Sequence, residues 1–273
     1  MSEELLYDKP EPLILLALLA FLLVAADVGY RLGRRKQMTV PEPVRSQIGS
    51  TQSAFLGLFA LLLGFTFAMA LSRFDARKEM VVREANAIGT AALRARVLPD
   101  PQRSETAKLF RDYIETRVEV GRNPNLPTPQ MQELDDEASR LQDQLWRHAT
   151  VAAEADPRSV PAGLFLQAMN EVIDVKGERD NALANHVPES VLMLLMIFAV
   201  MTGGLLGYGN GLAGARTFGT TAVFAVLIAV VILVIIDLDR PRRGLIRTGQ
   251  QSMLNLQKSY NAAADPRPLD GGR

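Results

Sequence analysis

Residues 53–96 constrain this chain more than any other stretch. An apolar run, AFLGLFALLLGFTFAMAL, passes without a proline into SRFDARKEMVVREANAIGTAALRAR. The first part is a membrane span by composition and the second a small-residue amphipathic helix. As one helix at 1.5 Å per residue the stretch is on the order of 65 Å long, about twice the hydrocarbon thickness of a bilayer. A span that continues into water in this way needs other spans beside its first part and soluble helices around its second.

Three further apolar runs supply the spans. TM1 lies at about 12–28, where Pro12 suits a first helical turn because its missing N–H costs nothing there. The acidic MSEELLYDKPEP before it differs from the basic start of a secretion signal, so TM1 reads as a retained span. TM2 lies at about 54–71, TM3 at about 190–208 and TM4 at about 217–236. The reading is all-α: a four-span helical membrane protein with a helical soluble domain between the second and third spans. Its parts are 1–71 (N-terminal tail with TM1 and TM2), 72–187 (soluble domain), 188–238 (TM3 and TM4) and 239–273 (C-terminal tail).

Between TM1 and TM2 the sequence RLGRRKQMTVPEPVRSQIGSTQ reads as a loop broken by Pro41 and Pro43, with Ser50, Thr51 or Ser53 as helix cap. In the soluble domain, Asp100-Pro101 and Thr128-Pro129 are cap-then-proline starts. Leu109, Phe110, Tyr113, Ile114, Arg117 and Val118 follow a helical period. Met131, Leu134, Ala138, Leu141, Leu145 and Ala152 form a packing seam beside Trp146 and His148. A third amphipathic helix runs from Leu164 to about Asn185, and its Lys176 and Arg179 read as a solvated, ion-paired face among Glu171, Asp174, Glu178 and Asp180. The tail holds a short helix at 252–260 and a disordered end.

On a helical wheel, Gly57, Ala60, Gly64, Ala68 and Leu71 of TM2 share one side, and Phe67 lies at its margin. Ala60, Gly64 and Ala68 form a ladder that lets helix backbones approach closely in lipid. The face is either a packing surface, with Ala68 in that role, or a pore wall. In the second case Gly57, Ala60, Gly64, Phe67 and Leu71 line the path, and Phe67 or Leu71 constricts it. The face continues as Asp75, Lys78, Val82, Ala85 and Gly89. Gly203, Gly207 and Gly211 of TM3 are a double GxxxG for close packing. The following YGNGLAGAR reads as a Gly-rich loop without the pattern of a phosphate-binding loop. Arg73, Asp75, Arg77, Asp237, Asp239 and Arg240 are placed at the membrane boundary.

Charge is balanced, Lys+Arg 30 against Asp+Glu 30, which argues against a nucleic-acid partner. With no Cys and two separated His, neither a metal centre nor a catalytic residue is assigned, and no cofactor. The chain therefore reads as no enzyme. Basic residues near the span ends number six on the side of the TM1–TM2 and TM3–TM4 loops and eleven on the other side. That balance favours cytoplasmic termini and a cytoplasmic central domain in a bacterial inner membrane.

Three segments together resemble one family. They are LLLGFTFAMALSRFDARKEMVVREANAIGTAALRARVLPDPQR at 61–103, QAMNEVIDV at 167–175 and IIDLDRPRRGLIR at 235–247. They are similar to a bacterial membrane family of unknown function, the bestrophin-like family, and more distantly to bestrophin channels. The resemblance implies a pentameric ion channel with four spans per subunit, an apolar and aromatic neck on the second span, and cytosolic helices around a vestibule. It does not extend to calcium gating, because Asp237 and Asp239 are too few to make a dense acidic run after TM4. The expected partners are the bilayer, further copies of the chain and a permeant ion. The competing expectation is a non-conducting scaffold or stress-sensing module in which the long helix carries signals and the small-residue faces only pack.

Overall fold

A computed structural model describes residues 10–123, 126–214, 216–240 and 246–264. The acidic N-terminus at 1–9, Arg242, Arg243 and the end of the tail lie outside them. Regular structure among the described residues is helical: α1 (Glu11–Lys36), α2 (Glu42–Ala95), α3 (Gln102–Arg122), α4 (Thr128–Ala155), α5 (Val160–Ala184), α6 (Glu189–Ala213), α7 (Phe218–Asp239) and α8 (Gln251–Ala264). Helices in four places are long and apolar enough to cross a membrane. The described residues divide into two compact units. One comprises those within Met1–Phe74 and His186–Arg240 with Ile246, the other those within Asp75–Asn185 and Arg247–Arg273.

The span and the soluble helix are one object: α2 is a single helix of 54 residues. It also starts earlier than expected. The chain between α1 and α2 is short, because Pro41 and Pro43 begin the helix rather than break it. The Pro41 carbonyl accepts from the amides of Val44 and Arg45, each at 3.1 Å. A proline in a first turn lacks only an N–H that would have no helical partner there. Arg45 Nε donates to the Val40 carbonyl at 3.2 Å and steadies the connection. Ser50, Thr51 and Ser53 therefore cap nothing; each hydroxyl donates to a carbonyl four residues back, on Ser46, Gln47 and Gly49.

In the first unit, α1 and α6 approach backbone to backbone. A methyl group on Gly207 would overlap the Ala26 carbonyl, one on Gly211 the Tyr30 carbonyl, and one on Gly29 the Gly204 carbonyl. At Gly203 the contact is ordinary, 3.4 Å to the Leu22 carbonyl. Helix α6 runs on through YGNGLA to Ala213, so these residues are helix interior and not the Gly-rich loop. The glycines cost helix propensity and in return allow this approach, since lipid gives helices no hydrophobic incentive to associate. Gly214, at φ 73°, ends the helix in the left-handed conformation. The core of the unit joins Ile14, Leu18 and Leu22 of α1 with Leu192, Leu195 and Ala199 of α6 and with Ala225, Ile228, Ile232 and Ile235 of α7. From α2 come Phe59 and Ala70, both buried, and Phe55, stacked on Phe198 with ring centroids 5.2 Å apart. Gln52 donates to the Leu205 carbonyl from the same helix.

In the second unit the alanine-rich end of α2 is the packing surface. Ala85, Ala87, Ile88, Ala91, Ala92 and Ala95 are buried with Phe110, Tyr113 and Ile114 of α3, Leu141 and Leu145 of α4, Phe165, Met169 and Val172 of α5, and Met253 and Tyr260 of α8. Phe110 and Phe165 meet edge to face, centroids 6.3 Å apart. The Ser159 hydroxyl accepts from the Ala162 amide at 3.3 Å and caps α5. Neither Asp100 nor Thr128 caps its helix: α3 and α4 have no side-chain cap bond, and Asp100 instead accepts from Arg103. Tyr260 donates to the Ala107 carbonyl at 2.8 Å and holds α8 to α3.

Candidate functional site

Gly57, Ala60, Gly64, Phe67, Ala68 and Leu71 are all exposed. Phe67 is 36% and Leu71 39% accessible. No atom lies within 4 Å of the place a Cβ would occupy on Gly57 or Gly64. At 100° per residue Gly57, Gly64 and Ala68 sit roughly opposite Phe59, Thr66 and Ala70, which are 2%, 1% and 0% accessible, while Ala60, Phe67 and Leu71 lie on the flank between the two sides. The helix thus packs on its own chain through one side and turns its small residues the other way. Thr66 stays dry by donating to the Leu62 carbonyl at 2.8 Å, so the packed side has no unmet hydroxyl. Ala68, expected to pack, is exposed along with the pore-wall candidates.

Along the same helix Asp75, Lys78 and Val82 are exposed, but the face does not stay open to Gly89. Ala85 is 5% accessible, and a Cβ on Gly89 would lie 3.3 Å from Leu256 Cδ1. The soluble helices close over the small residues there.

The boundary charges separate by environment. Asp75 is exposed and Arg73 half-buried, while Arg77, Asp237, Asp239 and Arg240 are buried. Both aspartates carry backbone work. Asp239 Oδ2 accepts from the Val187 amide at 2.7 Å, and Asp237 Oδ2 accepts from the Ile246 amide at 2.9 Å. His186 Nδ1 lies 3.1 Å from the Asp239 carbonyl oxygen. These contacts hold the entry to α6 against the exit of α7, which is where a chain leaving and re-entering an apolar layer has unpaired backbone groups. At the other end of α1, Asp27 pairs with Arg31 at 2.6 Å and with Arg216 at 3.6 Å.

Charge is also buried in the second unit, where the sequence reading placed none. Glu84, on α2 and fully buried, accepts from Arg117 Nε at 2.7 Å and from Arg179. Burial pushes the Glu84 carboxyl up, and the two guanidiniums outweigh it and hold it below its ordinary value. Burial likewise pushes the Arg117 guanidinium down, and Glu84 outweighs it, so Arg117 stays charged. The Tyr113 phenol beside them is pushed up by burial and stays protonated. Arg179 is therefore not part of a solvated face. The signal that could have found the pairing is Arg117 itself, an arginine at an apolar position of the α3 period, which calls for a buried carboxylate. Arg83 bridges to Glu178 at 2.7 Å.

Among the described residues no group of three or more His, Asp or Glu could hold a metal ion. The sequence profile of the Bestrophin-like domain matches residues 14–253. The chain belongs to the bestrophin-like family. It is similar to two solved structures of a bacterial bestrophin homologue from Klebsiella pneumoniae, both at 16% identity. One match covers 95% of this chain and 100% of the other with a TM-score of 0.61. The second covers 91% and 97% with a TM-score of 0.62. A further structure, described as a membrane protein, is similar at 17% identity over 93% of this chain and 98% of that one, TM-score 0.61. At these identities the likeness shows a shared fold. No curated protein sequence matches. Family membership and the four apolar helices make this a multi-pass membrane protein, and the bestrophin-like family supports a channel-like kind rather than an enzyme.

Proposed function

We propose that the chain is one subunit of an oligomeric ion channel in which α2 lines the conduction path. The observation that carries this reading is the exposed small-residue side of α2, turned away from the side that packs on the same chain. A pore-lining helix must do this, because its own bundle stands behind it and copies of itself stand beside it. Gly57, Ala60 and Gly64 leave width in the path, and Phe67 or Leu71 narrows it with apolar surface that gates by dewetting. Further copies of the chain complete the wall; a fivefold arrangement follows from the family resemblance alone. The membrane is the bacterial inner membrane, with the termini and the second unit cytoplasmic, as the excess of basic residues on that side favours.

Purified protein reconstituted in planar bilayers tests this. Wild-type protein conducts, and Phe67→Ala or Leu71→Ala changes the single-channel conductance while leaving the protein's elution from size exclusion unchanged. Silence of the wild type across voltage and pH contradicts the proposal.

The unbroken course of α2 favours one other reading, a non-conducting scaffold or sensor whose long helix carries a bilayer event to the soluble helices. Co-purification of one specific partner with a silent bilayer selects it.

A further inference from the structure

The second unit holds a polar cavity of about 110 Å³ among α3, α4, α5 and the segment 247–250 leading into α8. A single water accounts for roughly 30 Å³ of liquid, so there is room for several waters or one small anion. Its wall carries four guanidiniums, those of Arg117, Arg122, Arg179 and Arg247, with the carboxylates of Asp135 and Asp180. Glu84, behind the wall, already engages Arg117 and Arg179. Four cations thus face three carboxylates, and Lys176 adds its charge to Asp180 at 3.0 Å.

Two buried polar atoms of this wall have no hydrogen-bond partner among the described residues. Arg117 is 1% accessible, and its Nη1 has no hydrogen-bond acceptor among the described residues. Asp135 Oδ1 stands 3.6 Å away, beyond hydrogen-bond reach. Gln250 Oε1 is likewise buried without a donor, and a half-turn of its amide would present the NH2 to the same space. A buried donor without an acceptor costs its desolvation, which a bound anion would offset.

We propose that this cavity binds a small anion bearing a carboxylate or phosphate group. The guanidinium fork matches either group. Arg117 and Arg179 are already fixed by Glu84, so binding costs little of their side-chain freedom. Arg122 and Arg247, both exposed, close over the anion from α3 and from the C-terminal segment. The ligand therefore ties the approach to α8 onto the helical unit.

Calorimetric titration of the full chain in detergent tests the site, with inorganic phosphate and succinate as separate probes at constant ionic strength and chloride as reference. Saturable binding of one phosphate or one succinate per chain is expected, and whichever binds tells the two sources apart. Arg122→Gln with Arg247→Gln removes two exposed cations and leaves the Glu84 pairings in place. It should weaken binding about tenfold or more, as loss of a charge-assisted hydrogen bond implies. Arg111→Gln, the loss of one cation elsewhere on α3, should leave binding unchanged. Heats for both probes equal to chloride, binding retained by the double variant, or equal weakening by Arg111→Gln would each overturn the proposal.

Discussion

Along α2 one residue class has two fates. Ala85, Ala91, Ala92 and Ala95 are covered by other helices of the second unit, whereas Gly57, Ala60, Gly64 and Ala68 are exposed. Small residues let a neighbour come close, and in the second unit the chain itself supplies that neighbour. In the first unit it does so at Ala70, on the packed side, and not at Gly57, Ala60, Gly64 or Ala68. The α1–α6 seam shows that this unit can close glycines against backbone when it has a helix to do so. On the reading proposed above, the open side of α2 is surface for something outside the subunit: another copy, the ions, or both.

The largest effect that sharpens this contrast comes from the covered part. Glu84→Ala leaves Arg117 buried without its carboxylate and should destabilise the second unit by about 3–5 kcal/mol, read as a fall in the denaturant midpoint of purified protein. The same pairing sets a pH dependence. The folded value of Glu84 lies below its ordinary 4.5, so its contribution is fully present above about that pH and is lost as pH falls through the folded value. Stability of the wild type should drop below pH 4.5, and that of Glu84→Gln should drop less.

A paired substitution comes next. Ala91 is fully buried, and Ala91→Leu should cost about 1–3 kcal/mol through overpacking. Gly64→Ala meets no atom within 4 Å and should stabilise the subunit slightly, by up to about 1 kcal/mol of helix propensity. Thermal unfolding of the two variants reads the difference. A Gly64→Ala loss as large as that of Ala91→Leu would mean that the two parts of α2 are equally covered, and the contrast would fail.

Much of this was legible in the sequence. The apolar runs located the spans, and Pro157 and Pro188 fall between helices, where a proline suits the chain. The apolar periods of α3 and α4 named most of their buried residues. What escaped depends on partners distant in the chain. Pro41 and Pro43 fit a helix start as well as a break, and only the backbone bonds behind them decide. The glycines after Tyr208 read as a loop until α1 is placed against them. Arg179 sits in a run of charges that suggests water, and its burial follows from Glu84, some 95 positions earlier. The wheel located the small-residue face of α2, but no wheel says which faces a chain will cover with itself.

The chain has no native cysteine, so a single introduced thiol can be read without background. The decisive measurement is the bilayer current of reconstituted Gly64→Cys before and after a charged, membrane-impermeant methanethiosulfonate reagent. A pore wall at this position predicts a current that falls on modification and recovers with reductant. A current indifferent to the reagent, with labelling of the introduced thiol confirmed by mass spectrometry, would contradict a conduction path along this side of α2.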